Sequence, residues 1–206
     1  MHLIIAEKHD AAKRIAQILA DEKPHSQRVA GIEAFQFDDK VVLGLSGHIV
    51  GVDYPPEYNN WQKVDCKELI RAEIVVRPIQ EKIVSALRTL GKQADKITIA
   101  TDYDREGELI GVEALKIVQE VNPRLSADRV RYSAIVKDEI LKAFKDSGKV
   151  DFDLAASGEA RQVIDLVWGA ALTRYISLTS GRLGKEFLSV GRVQSPTLAL
   201  IVDRER

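Results

Sequence analysis

Glu7 closes the apolar run LIIA, and Asp102, Asp104, Glu106 and Glu108 follow the apolar run KITIAT at alternate positions. Carboxylates gathered where a strand passes into a helix offer hard oxygen ligands. Mg²⁺ takes one or two of these, with water and phosphate oxygens completing its shell. Asp102 and Asp104, two residues apart, leave the strand pointing the same way, and Glu106 opens the helix that follows. The same spacing also serves as a solvated acidic turn at a helix N-terminus, where Asp and Glu are favoured. A second acid, Glu7, stands at the carboxyl end of a different strand, where open α/β sheets place their ligands.

The elements that must position these acids can be read from periodicity. Residues 3–6 form a buried strand, and Ala12, Ile15, Ala16 and Leu19 mark a helix over about 10–20 with Asp10 as N-cap. EAFQF and KVVLGL around DDK predict a hairpin, and SGH at 46–48 marks a close backbone approach. Residues 53–63, DYPPEYNNWQK, read as an irregular surface loop. A short strand at 73–76 and a helix from Pro78 to Leu90 precede the strand at 97–101 and its helix at about 105–121. A strand at 129–135 and a helix near 136–146 complete the alternation. Such alternation predicts an α/β fold, a mainly parallel sheet with helices on both faces, presenting its acids at strand carboxyl ends. A boundary is expected near residue 150. Beyond it lie a helix over about 154–172, a Gly/Ser-rich stretch, and a helix opening at Ser195–Pro196 that has neither cap nor stop signal at Arg206, as in a chain that has been cut.

Composition narrows the classes. The chain has 206 residues, 45% hydrophobic and 30% charged, with net charge −1 and one cysteine, Cys66. No disulfide framework or thiolate metal site follows from that. No run approaches the roughly eighteen apolar residues of a membrane span, so a cytoplasmic protein is expected. The charge argues against bulk polyanion binding, but arginines in the C-terminal quarter leave room for a local groove.

Several stretches together resemble one family. LIIAEK with Glu7 and DYDREGELI with Asp102, Asp104 and Glu106 are similar to the two signature motifs of the Toprim domain. GEARQVIDLVWGAALTRYIS and LSVGRVQSPTLALIVDRER resemble the segment that follows Toprim in type IA DNA topoisomerases, nearest the archaeal topoisomerase I and topoisomerase III branch. The resemblance implies a Toprim domain over 1–150 and, over 151–206, the first part of a helical DNA-binding domain. It also implies an enzyme that cuts one DNA strand through a 5′-phosphotyrosine, using a tyrosine outside these residues, and reseals it.

Residue by residue, the resemblance makes Glu7 the general acid/base and Asp102, Asp104 and Glu106 the Mg²⁺ ligands. Lys13, His48, Arg161, Arg192 and Gln194 would contact DNA. Arg105 would steady the acidic cluster, and Asp165 would orient Arg161. Trp61 could stack on bases, whereas Trp168 is expected in the core. The partners would be single-stranded or underwound DNA and the remaining domains of the same polypeptide, in a monomeric, nucleoid-associated protein with no membrane contact. Lys8–His9 stands where the family often has Ser-Pro, and Gln162 and Leu166 stand where some relatives carry arginine. A complete metal-dependent Toprim nuclease is the rival reading, and a non-catalytic nucleic-acid-binding module a third.

Overall fold

The apolar runs at residues 3–6 and 97–100 are apolar on both faces, which suits central strands covered by helices on each side. They become β1 (His2–Ala6) and the strand next to it. The computed structural model describes residues 1–206 as two units, 1–51 with 78–158 and 52–77 with 159–206.

In the first unit, β1 leads to α1 (His9–Leu19), then to β2 (His25–Val29), β3 (Ile32–Phe37) and β4 (Lys40–Gly44). The chain leaves through β5 (Val50–Asp53) and returns through β6 (Val75–Pro78), which pair as a separate two-stranded sheet. There follow α2 (Glu81–Gly91), β7 (Lys96–Ala100), α3 (Arg105–Gln119), β8 (Ala127–Arg129), α4 (Lys137–Lys145) and β9 (Gly148–Lys149). The main sheet runs β2-β3-β4-β1-β7-β8-β9. Its centre, β4-β1-β7-β8, is parallel, and both margins are antiparallel.

Strand alternation divides the core. Leu3, Ile5, Val41, Leu43, Ile97 and Ile99 pack with Ile83, Leu87, Ile110 and Leu115 of α2 and α3. Ile4, Ala6, Val42 and Ala100 face Ala12, Ile15, Ala16 and Ile140 of α1 and α4. Ala6 lies opposite Ala100 in the β1–β7 register, so the segments after both strands leave the sheet side by side.

Several expectations are corrected. Asp10 lies in the first turn of α1; the N-cap is Lys8, which has extended backbone and no capping side chain. The strand expected over 129–135 ends at Arg129, because the chain turns away there: Tyr132 Oη donates to Ala100 O and Ser133 Oγ to Glu139 Oε1. The segment 53–63 is not a surface loop throughout. Tyr54 is buried and its hydroxyl donates to the carbonyl of buried Leu69, across short 3₁₀ turns at Pro56–Asn59 and Glu68–Ile70.

The second unit holds residues 52–77 and most of α5 (Phe152–Thr179), with α6 (Gln194–Glu205). The units therefore divide differently from a single cut after 150. Residues 151–158 belong with the first unit, where Asp151 N donates to Glu108 Oε1 and Asp151 Oδ1 accepts from Leu154 N.

Candidate active site and metal-binding turn

The turn between β7 and α3 is built from its own sequence. Asp104 caps α3 by accepting from Gly107 N at 2.7 Å, and Thr101 Oγ1 donates to Gly107 O at 2.6 Å. A Cβ at Gly107 would stand 2.1 Å from Asp102 O, so only glycine lets the helix start this close to the strand end.

Beneath the turn lies Arg129, fully buried, paired with equally buried Glu108 at 2.7 Å. Its remaining N–H groups donate to the carbonyls of Thr101, Val130 and Asp102 at 2.9, 2.6 and 2.8 Å. Arg105, expected to steady the acids, is exposed on the first turn of α3 and forms no ion pair; the residue that fills this role is Arg129, 24 positions further on. One of two arginines in a strand-like stretch, RVRYSAI, gave no sign of it in the sequence.

Glu7 lies beyond the end of β1 with 13% of its side chain exposed. Lys8 Nζ reaches Glu7 Oε1 at 3.0 Å and Asp102 Oδ2 at 3.6 Å, joining the two strand ends. The hydrogen bond to Glu7, the Glu7 charge and Asp102 together push the Lys8 pKa up. Lys13 is exposed on α1, and its charge helps hold the Glu33 carboxyl below its usual range, chiefly an effect of the Ser26 hydroxyl. The cation at Glu7 is thus Lys8. The departure from Ser-Pro at 8–9 was the available signal.

Asp102 and Asp104 line one pocket of about 570 Å³, together with Tyr103, Arg131, Tyr132 and Glu139. Tyr132 is largely buried with its hydroxyl donated to Ala100 O, and burial pushes its pKa far up, so it stays a phenol. Asp102 is half-exposed. Two accessible carboxylates fit a hydrated Mg²⁺ that keeps several waters.

In this structure no three Asp, Glu, His or Cys side chains gather closely enough to hold a metal, so Asp102, Asp104 and Glu106 are not brought together. The reason lies in Glu106. Its Oε2 stands 2.9 Å from His48 Nε2, and His48 Nδ1 stands 3.0 Å from Glu113 Oε1. The hydrogen bond with Glu113 and then that with Glu106 raise the His48 pKa to about 9, against the opposing effect of burial. His48 thus meets the acidic turn through a carboxylate.

In the second unit, Asp165 holds Arg192 through both oxygens, at 2.5 Å to Nε and 3.3 Å to Nη2, whereas Arg161 Nε lies 3.8 Å away. Asp165 therefore orients Arg192 more closely than Arg161, and the Arg192 hydrogen bond lowers its pKa. Gln194, exposed at the start of α6, is 3.4 Å from Ser189 Oγ. Trp61 meets Phe187 edge-on at 5.9 Å, with the Arg174 guanidinium 5.4 Å from its ring centre. Trp168, expected in the core, is 51% exposed, one of an exposed apolar series on α5 with Ile164 and Tyr175.

Comparison with known proteins divides the chain once, between residues 135 and 149. The Toprim domain family matches residues 2–135, and the family described as DNA topoisomerase matches residues 149–206. DNA topoisomerase 1 of Archaeoglobus fulgidus is 55% identical over 204 residues, covering 98% of this chain and 31% of that protein. Human DNA topoisomerase 3-alpha is 32% identical, over 98% of this chain and 22% of its own length. The full-length topoisomerase I structure from Thermotoga maritima superposes with a TM-score of 0.66 at 29% identity, over 99% of this chain and 30% of that one.

Fold and acidic turn together define a Toprim domain, a metal-binding class of domain. The chain belongs to the type IA DNA topoisomerases and spans between 20% and 35% of the length of the curated relatives compared.

Proposed function

We propose that this chain is the Toprim-bearing part of an enzyme that breaks and rejoins one DNA strand to change DNA topology. The observation that carries this reading is the meeting of Glu7 and Asp102 at the ends of neighbouring parallel strands, bridged by Lys8. In cleavage, a tyrosine oxygen, its proton passing to solvent, bonds to phosphorus while the bond from phosphorus to the 3′-oxygen breaks. Glu7 gives its proton to that leaving oxygen and takes it back when the 3′-hydroxyl attacks in resealing, acting as general acid and then base. Lys8 holds the Glu7 carboxyl in place and offsets negative charge at the phosphate.

Mg²⁺, bound by Asp102 and Asp104, would align the phosphate and counter its charge. The turn that carries these two acids is held by Arg129 from below and capped by Asp104 itself. Arg192, aligned by Asp165, and Arg161 are suited to phosphate oxygens, which match a guanidinium fork. Gln194, His48 and Lys13 are assigned to the DNA path on the resemblance alone. The nucleophile is assigned to a tyrosine outside residues 1–206. The DNA would be single-stranded or underwound, and the protein a monomer at the nucleoid of the cytoplasm.

The test uses this chain with single-stranded DNA and Mg²⁺. Calorimetry should give Mg²⁺ binding that Asp102→Ala and Asp104→Ala together abolish, with no strand cleavage. Metal-dependent nicking without a covalent intermediate would move the assignment to a Toprim nuclease. A 5′-phosphotyrosine trapped on the 206-residue chain would place the nucleophile inside it.

A further inference from the structure

Glu113 lies two turns along α3 from Glu106, on the same side of the helix. Only 6% of its side chain is exposed. One oxygen pairs with His48 Nδ1, and the other accepts from Ile49 N at 3.2 Å. The loop carrying His48 is fixed a second time by Gln80, whose Nε2 donates to the carbonyls of Ser46 and His48 at 3.0 and 2.8 Å. The imidazole is therefore set by a buried carboxylate and an anchored loop. With a carboxylate at each ring nitrogen, both nitrogens must donate, and the ring is an imidazolium.

Its outward N–H is directed at Glu106 Oε2. A charge-assisted hydrogen bond of this kind is among the stronger ones a carboxylate can make. A cation shared with Asp102 and Asp104 either displaces this contact or draws on the same carboxylate charge through the other oxygen, so it and the imidazolium oppose each other at Glu106.

We infer that His48, positioned by Glu113, and the divalent cation compete for the carboxylate of Glu106. This rests on the metal assignment proposed above. His48 thereby keeps the cation on a two-carboxylate, water-rich footing, which leaves positions in its shell for phosphate oxygens. By linkage, whatever draws Glu106 to the cation also loosens it from His48, to the same extent in free energy. Glu113 and His48 are positioning residues in this scheme.

Calorimetric titration of the chain with Mg²⁺ tests it. His48→Asn should bind Mg²⁺ about tenfold more tightly than the wild type, the magnitude of one charge-assisted hydrogen bond. Glu113→Gln should tighten it by a smaller factor, because His48 then loses its buried anchor. In a Glu106→Gln background the His48→Asn effect should disappear. A gain that persists there would arise from the imidazolium charge alone and would overturn competition for Glu106.

The unmodified chain supplies an independent measurement. Saturation with Mg²⁺ should shift the ¹⁵N resonance of His48 Nε2 and leave Nδ1 in place. Equal Mg²⁺ affinity in His48→Asn and wild type, with an unmoved Nε2 resonance, would overturn the inference while the metal site stands. Wild-type binding that is absent, or indifferent to Asp102→Ala and Asp104→Ala, would remove the metal assignment instead.

Discussion

Arg129 and Glu108 meet at 2.7 Å with neither side chain exposed, whereas Arg192 and Asp165 meet at 2.5 Å with each side chain 42% exposed. The chemistry is the same and the surroundings are opposite. In the first unit the guanidinium is surrounded by acceptors, and its hydrogen bonds reach the carbonyls that begin the acidic turn. Removing one partner would strand a charge in the interior. In the second unit both groups are partly exposed to water, so opening the pair strands no buried charge. A rigid support beneath the acidic turn and a part-exposed pair open to solvent are different settings for one kind of pair.

The sharpest way to break this comparison is Arg129→Met. It leaves Glu108 buried without its cation, for which a loss of about 3–5 kcal/mol is expected. Urea unfolding of the variant measures it. Arg129→Met combined with Glu108→Leu should recover a large part, since removing both charges avoids the stranded one. A loss below about 1 kcal/mol for the single variant would mean that the buried pair behaves like a surface pair.

What could be read in advance follows the same division between local and distant causes. LIIA and KITIA announce themselves because strands covered on both faces are apolar throughout. HSQRV does not, because β2 is an edge strand paired only with β3 and largely exposed. The spacing of Asp102, Asp104 and Glu106 is local and legible. The direction of Glu106 is not, since it is set by His48, 58 residues earlier in the chain. Spacing likewise cannot tell that Lys8, ahead of α1, curls back to Glu7 while Lys13 stays in solvent. The hydrogen bond of Tyr54 to Leu69 and the clamp of Arg129 on Glu108 close over 15 and 21 residues, beyond the reach of any periodicity.

Between the two extremes stands His2, half-buried at the opposite end of β1 from Glu7 and bonded to Thr98 Oγ1 at 2.7 Å. Burial first, and then the charges of Lys96 and Lys40, lower its pKa from 6.5 to about 4. The folded state thus favours the neutral ring. The stability it contributes is complete above pH 6.5 and is lost as the pH falls from 6.5 toward 4. Linkage sets an upper limit of roughly 3 kcal/mol, and solvent screening of a half-exposed ring reduces that to about 1–2 kcal/mol. Unfolding of the wild type and His2→Gln at pH 7 and pH 4.5 should therefore show the wild type losing more stability over that interval. Equal losses would assign the acid sensitivity elsewhere.

The smallest effect is expected at the exposed pair. Asp165→Asn should cost about 0.5 kcal/mol at pH 7 and low salt, as exposed pairs generally do. Because the two charges lie in water, the difference in Tm between wild type and variant should shrink in about 1 M salt, where the screening length falls to roughly 3 Å. The Asp165 pKa is lowered in the folded state, mainly by Arg192, so the pair stabilises above the ordinary carboxylate range. The difference should close as the pH falls through the lowered value. A Tm difference that is large and insensitive to salt would mean that Asp165 is part of a rigid scaffold like Glu108, and that Arg192 is not held ready for exchange with a phosphate.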